Sequence, residues 1–194
     1  MARAGLTTEV VVEAAAELAD SMGFDKVTLS SLGRRFGVAD ASLYAHVRNV
    51  TDLRTRIAVR AAAQFADAVE AAVAGRSGPV AVSAFAGAYR GFATTHPGRY
   101  AATRLRLDPA DLDRSDGHRR LVEVAYATLR GYPLAEPDLT DAVRLLRSTC
   151  HGFVSLEAAG GFGHPRSVAV SWRQAVTALA RLFDHWPGRR GSTG

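Results

Sequence analysis

The stretch LSSLGRRFGVADASLYAHVRNVTDL, residues 29–53, constrains the fold more than any other part of the chain. Leu29, Leu32 and Phe36 recur at helical spacing behind Thr28, a residue type that caps helices. Gly37 stands where a tight turn falls, and Leu43 and Val47 mark the inner side of a short third helix. A helix-turn-helix needs a helix that packs, a tight turn and a short second helix with an exposed face. Leu32, Phe36, Val38, Leu43 and Val47 supply the packing and Gly37 the turn. The supporting first helix is capped by Thr7 or Thr8, ends at Gly23, and carries Val11, Ala14, Ala15, Leu18 and Met22 on one face.

That arrangement leaves Asp40, Ala41, Ser42, Tyr44, Ala45 and His46 pointing away from the core. Small side chains let a helix backbone approach base edges, and Tyr, His and Ser offer hydrogen bonds to phosphates or bases. Asp40 could accept from a cytosine amino group, repel phosphate or cap the third helix, and capping is the preferred role. Six arginines (34, 35, 48, 54, 56 and 60) face only Asp40 and Asp52 across residues 30–60, a local net charge of +4. The preceding helix is acidic, with Glu9, Glu13, Glu17, Asp20 and Asp25. The whole chain is +5, and Lys26 is its one lysine. A GC-rich genome accounts for abundant Arg, Ala and Gly, but not for positive charge gathered at one motif. Arginine's forked donors suit phosphate and guanine edges.

An amphipathic helix, Gly-aromatic, a Thr cap, Leu-x-x-x-Phe-Gly-Val, Leu-Tyr-x-His and Thr-Asp-Leu follow in order from Val11 to Leu53. This series resembles the TetR family of transcriptional regulators. The resemblance implies that Thr28, Tyr44 and His46 contact phosphate, while Ala39, Asp40, Ala41, Ser42 and Ala45 face the major groove. Arg34, Arg48 and Thr51 complete the expected DNA-contacting set. Val50 stands where many members carry Lys, and Arg48 takes over that contact. Val47 replaces a common Phe. Gly33 replaces a usual Ala, which should weaken the second helix by roughly 1 kcal/mol.

The expected fold class is all-α. An N-terminal three-helix helix-turn-helix domain spans residues 1–52, a helical ligand-binding and dimerisation domain spans 53–187, and 188–194 form a flexible tail. Thr51 is the expected cap of a long fourth helix, with Leu53, Ile57, Ala61, Phe65, Ala68 and Ala72 in a stripe. Beyond the linker at residues 75–78, Pro79 opens a helix bearing Phe85, Tyr89, Phe92 and His96, which His96-Pro97-Gly98 breaks. Tyr100–Leu107 forms a short helix and residues 108–117 a loop. Helices follow over His118–Arg130, from Asp138 to Ala159, and over Ser167–Trp186.

Residues 148–163, STCHGFVSLEAAGGFG, resemble the His-Gly-x-x-x-Leu-Glu segment of one TetR C-terminal subgroup through His151, Gly152, Leu156 and Glu157. Family members pair the DNA-binding module with a domain that dimerises and binds a small effector. The penultimate helix is apolar on two sides, through Val143, Leu146, Cys150 and Phe153 and through Leu145, Thr149, Gly152 and Leu156. Such a helix has two neighbours to satisfy. A homodimer through the last two helices, packed as a four-helix bundle, covers both. Phe85, Tyr89, Phe92, His96, Tyr100, Tyr126, Cys150 and Phe153 are the candidate effector contacts or, equally in kind, plain core. The expected effector is aromatic or amphipathic, and Arg104 could meet a carboxylate on it.

Enzyme chemistry finds no foothold in the pattern. Cys150 and His151 are helical neighbours about 100° apart. The six histidines show no i, i+4 pair, and no phosphate-binding glycine loop opens a helix. No metal and no cofactor is expected, and Cys150 reads as a small buried hydrophobe. One cysteine fits a reducing compartment, no uncharged apolar run is long enough for a bilayer, and no secretory signal is visible. The expected setting is the cytoplasm. The alternative is a helical interaction module that keeps the fold without operator or effector.

Overall fold

The computed structural model describes residues 6–113 and 115–187. Among them every regular element is helical: α1 Thr8–Met22, α2 Leu29–Phe36, α3 Asp40–Leu43, α4 Val50–Val73, α5 Gly78–Thr95, α6 Pro97–Ala102, α7 Pro109–Asp113, α8 Asp116–Leu129, α9 Asp138–Ala158 and α10 Val168–Asp184, with a 3-10 turn at Phe24–Lys26. The expected tail at 188–194 lies outside the described residues. The described residues within Met1–Ala66 and Thr95–Arg120 form one compact unit, and those within Asp67–Thr94 and Leu121–Gly194 a second. Helix α4 gives its first part to one and its last turns to the other.

The first unit is built on α1. Thr7 caps it by accepting from the Val10 amide at 3.3 Å. Val11, Val12, Ala14, Ala15, Ala16 and Ala19 are buried, while Leu18 and Met22 of the expected face are half-buried. The seam shifts to alanine because α6 packs hard against α1: a Cβ at Gly98 would lie 2.0 Å from the Ala19 carbonyl carbon. Leu32, Leu43, Val47, Leu53 and Ile57 close the same core. On α4 the expected stripe holds as far as Phe65. Beyond it Ala66, Val69 and Val73 are buried, whereas Ala68 is exposed and Ala72 half-buried. The expected stripe takes a step of three at Ala68, whereas the buried seam keeps to steps of four through Ile57, Ala61, Phe65, Val69 and Val73.

Three expectations change in the 97–130 region. The short helix begins at Pro97, not Tyr100, because the proline suits a first helical position. The expected loop at 108–117 contains α7 and the start of α8. Asp108 caps α7, its carboxylate accepting from the Asp111 amide at 2.8 Å. In the second unit Phe85, Leu129, Leu146, Cys150 and Phe183 are fully or nearly fully buried. Phe183 meets Tyr132 edge-on at 5.6 Å between ring centres. Among the described residues no helix is long and apolar enough to cross a membrane.

Candidate nucleic-acid interface

Helix α2 is held at both ends by local chemistry. Thr28 accepts from the Ser31 amide at 3.1 Å while Ser31 Oγ accepts from the Thr28 amide at 3.0 Å, a reciprocal capping box. Gly37 ends the helix with φ +65°, the left-handed conformation a side chain would strain. Helix α3 is a single turn. Leu43 and, just after it, Val47 are buried, so Ala39, Ala41, Ser42, Tyr44 and Ala45 all stand exposed on the other side, with His46 half-buried. Tyr44 is 58% exposed. A large aromatic more than half exposed is the unusual feature of this surface.

Asp40 does not cap α3. Ala39 occupies the cap position without a side-chain bond, and Asp40 is the first helical residue. Its carboxylate instead accepts from Ser30 Oγ of α2 at 2.5 Å. Thr51 does not cap α4 either. Asn49 does, its Oδ1 accepting from the Asp52 amide at 2.8 Å and its carbonyl from Leu53 at 3.0 Å. Thr51 lies exposed in the first turn. The signal was present in the sequence: Asn three residues before Asp, with the acid falling where it can reach back.

Asp52 is the residue whose importance the sequence hid. Its side chain is buried and accepts from the Arg48 amide at 3.0 Å, the Arg48 guanidinium at 3.2 Å and Arg56 Nε at 3.1 Å. Burial opposes ionisation, but the amide of Arg48 and the two guanidinium groups outweigh it and hold the carboxyl below its ordinary value of 3.8. A lowered folded-state value means stability that is present above the unfolded value and lost as pH falls through the folded one. Asp52→Asn is therefore expected to cost about 2 kcal/mol near neutrality and to flatten the acid limb of stability below pH of about 4. Urea unfolding across pH 2–7 checks it. An unchanged acid limb would remove Asp52 from the account.

The charge count overstated what is free. Arg35 pairs with Glu17 and Arg60 with Glu13. Arg56 holds Asp52. Arg54 donates to the Asp25 carbonyl at 2.7 Å and lies over the Phe24 ring. Acids of α1 thus pair with two of the six arginines in residues 30–60, Arg35 and Arg60. Arg34 is exposed and makes no ion pair among the described residues. Arg48 pairs with Asp52, yet its side chain is 83% exposed.

The candidate effector residues fall into both units. His96 Nδ1 lies 3.2 Å from the Asp20 carboxylate, and Tyr100 meets Phe65 edge-on at 5.9 Å, both within the first unit. Arg104 covers the Tyr100 ring at 5.4 Å. In the second unit Phe85 and Phe92 are buried and Tyr89 is half-buried, 6.0 Å from Phe85. The Tyr126 hydroxyl bonds Thr140 Oγ1 at 2.9 Å. Phe153 packs between Phe162 and Trp172 at 4.7 and 4.8 Å. Cys150 is fully buried, and burial pushes its thiol up to about 12, so it stays protonated and unreactive. Glu157 grips Arg90 of α5 through two bonds of 2.8 and 2.5 Å. The side-chain bond to Arg90 is the main cause holding the Glu157 carboxyl below its ordinary value.

Residues 82–179 match the family described as "Tetracyclin repressor-like, C-terminal domain". The chain is 35% identical to the HTH-type transcriptional regulator Rv0681 of Mycobacterium tuberculosis over 81% of its own length and 72% of that protein. It is 32% identical to the HTH-type transcriptional regulator YobS of Bacillus subtilis over 87% of its own length and 88% of that protein. A TetR protein from Acinetobacter baumannii AYE, solved in complex with minocycline, shares the fold with a TM-score of 0.67 at 19% identity, covering 93% of this chain and 98% of the other.

Proposed function

Because the chain belongs to the TetR family of DNA-binding transcriptional regulators, we propose that it is a cytoplasmic homodimeric repressor, released from a palindromic operator by a small-molecule effector. The observation that carries the DNA-reading part is the exposed outer side of α3, where Tyr44 is 58% exposed beside small residues. Ala39, Ala41, Ser42 and Ala45 enter the major groove. Thr28, Tyr44 and His46 bond the phosphates, with Arg34, Arg48 and Thr51 on the flanks. Thr28 caps with a lone pair and keeps its hydroxyl proton for a phosphate oxygen. Residues 1–52 serve as the DNA-binding domain and 53–187 as the effector and dimerisation domain.

Dimerisation runs through α9 and α10. Leu156 is 50% exposed on α9 and Leu182 38% exposed on α10. Both apolar side chains gain a covering when two copies form a four-helix bundle. For the effector, Phe85, Tyr89, Phe92, Tyr126, Cys150 and Phe153 of the second unit give an apolar lining with a few polar groups, which suits an aromatic or amphipathic molecule. The complex of the Acinetobacter protein with minocycline supports that class of ligand.

Titration against the region upstream of the protein's own coding sequence, with scrambled DNA as control and at two salt concentrations, tests this reading. Preferential binding at two subunits per site, weakening steeply with salt, is the expected result. Tyr44→Phe and Arg48→Ala should weaken binding to all sequences, whereas Ser42→Ala should change base preference. Effector and operator must weaken each other by the same factor. Equal effector affinity with and without DNA would refute release by the effector. Equal binding to both DNAs, repeated in a selection from random sequence, would favour the interaction module.

A further inference from the structure

Helix α3 is too short to orient itself. It has one turn, no side-chain cap at its start, and a single buried residue, Leu43, within its span. Something outside the helix must set the angle at which its outer side meets DNA. A polar tie runs from its first residue to α2: Ser30 Oγ donates to Asp40 Oδ2 at 2.5 Å. Across the turn, the Val38 amide donates to the Gly33 carbonyl at 3.0 Å. The space these atoms need exists because residue 33 has no side chain. A Cβ there would lie 2.6 Å from Asp40 Oδ1 and 2.9 Å from the Val38 carbonyl oxygen. Gly33 therefore does more than weaken α2: it lets the carboxylate and the turn sit against the helix.

We infer that Ser30, Gly33 and Asp40 form a lock that fixes α3 relative to α2, and that Asp40 acts on operator choice as a positioning residue and not by reading a base. This deepens the DNA-reading proposal and rests on it. Of the two acids in residues 30–60, Asp52 is buried under Arg48 and Arg56, while Asp40 stands at the start of α3. A carboxylate left to itself there would repel the phosphate backbone. Bonded to Ser30, it is turned along α2 and satisfied before DNA arrives. Pre-orientation of a reading helix raises the ratio of specific to non-specific binding, because only the specific complex needs side chains and base edges in register.

Ser30→Ala, Asp40→Ala, the double variant and Asp40→Asn test the lock in the full-length protein. Both substituted residues, Ser30 and Asp40, lie outside the apolar core, and thermal unfolding of each variant establishes that it is folded. The first readout is amide hydrogen exchange of residues 38–46 in the free protein. The second is the ratio of affinities for a selected operator and for scrambled DNA. Either alanine should speed exchange across α3 and lower the ratio about tenfold, the range of a hydrogen bond to a charged group. The double variant should be no worse than either single one, as for two ends of one interaction. Asp40→Asn keeps an acceptor for the Ser30 hydroxyl and should recover most of the loss.

The lock is overturned if exchange across α3 is the same in all variants. It is also overturned if Asp40→Ala changes preference at one base pair while Ser30→Ala changes nothing, which would make Asp40 a base reader. A wild-type protein that selects no DNA sequence would sink the DNA-reading proposal, and the exchange measurement would still decide the lock by itself.

Discussion

Gly98→Ala is expected to destabilise the first unit by about 3 kcal/mol or more. At this residue α6 crosses α1 with no side chain between the backbones. An added Cβ would meet the Ala19 carbonyl carbon and oxygen at 2.0 Å and the Asp20 nitrogen at 2.5 Å. These are backbone atoms of a fifteen-residue helix, and no rotamer change can move them aside. The two helices must separate, which opens the alanine seam of α1 to the solvent. The usual effect of such a substitution has the opposite sign, since alanine is favoured over glycine inside a helix by roughly 1 kcal/mol. Gly87→Ala on α5 provides the control, because nothing lies within 4 Å of a Cβ there. Urea unfolding should show Gly98→Ala below and Gly87→Ala at or above the wild type. Equal stability of Gly98→Ala and wild type would mean that α6 does not press on α1 as described. Since the same unit carries α2 and α3, operator binding should fail along with its fold.

Arg99→Ala should cost nearly as much, about 3–5 kcal/mol. The Arg99 side chain is only 10% exposed. Its Nη2 donates to Glu13 Oε1 at 2.9 Å, and its Nε lies 3.2 Å from Asp20 Oδ2. Its backbone amide also donates to Asp20 Oδ1, at 2.8 Å. Truncation removes the guanidinium and leaves two carboxylates in a site where water screens them poorly. Arg60 still reaches Glu13 and His96 still faces Asp20, so the lower half of that range is the firmer figure. Arg99→Lys should recover part of the loss, keeping the charge but not the fork that spans two acids. The urea midpoint should fall while the slope of the transition stays constant, marking a loss of stability without a change in the surface exposed. A variant within 1 kcal/mol of wild type would show that the pairs contribute no more than exposed ion pairs do.

Both predictions concern long-range pairings, and these were the least legible features of the chain. Glu13 and Arg99 are 86 residues apart. Acids spaced along α1 looked like a solvated negative face opposite a basic reading unit. In the folded protein Glu13, Glu17 and Asp20 are the partners of Arg60, Arg99, Arg35 and His96. Counting charge over residues 30–60 could not reveal this, because a count carries no information about which helix lies beside which. The aromatic residues at 85, 89, 92, 96 and 100 misled in a related way. The spacing of 85, 89, 92 and 96 fits one face of one helix, with Tyr100 on the next, but His96 and Tyr100 pack within the first unit and the other three belong to the second.

Near the turn the same sequence was far more informative. Thr7, Thr28 and Gly37 cap and stop their helices through bonds that reach three or four residues, so the residue types themselves specify the geometry. Asn49 follows the same rule, and it, not the expected Thr51 two residues on, caps α4. Local order of caps, turns and apolar spacing determined that this chain is helical, where α1 and α2 begin and end, and that one side of α3 is exposed. Only the tertiary structure decided which arginines are tied up in ion pairs, why residue 98 must be glycine, and that Asp40 accepts from Ser30. Those outcomes depend on distances between elements that periodicity along a single helix does not contain.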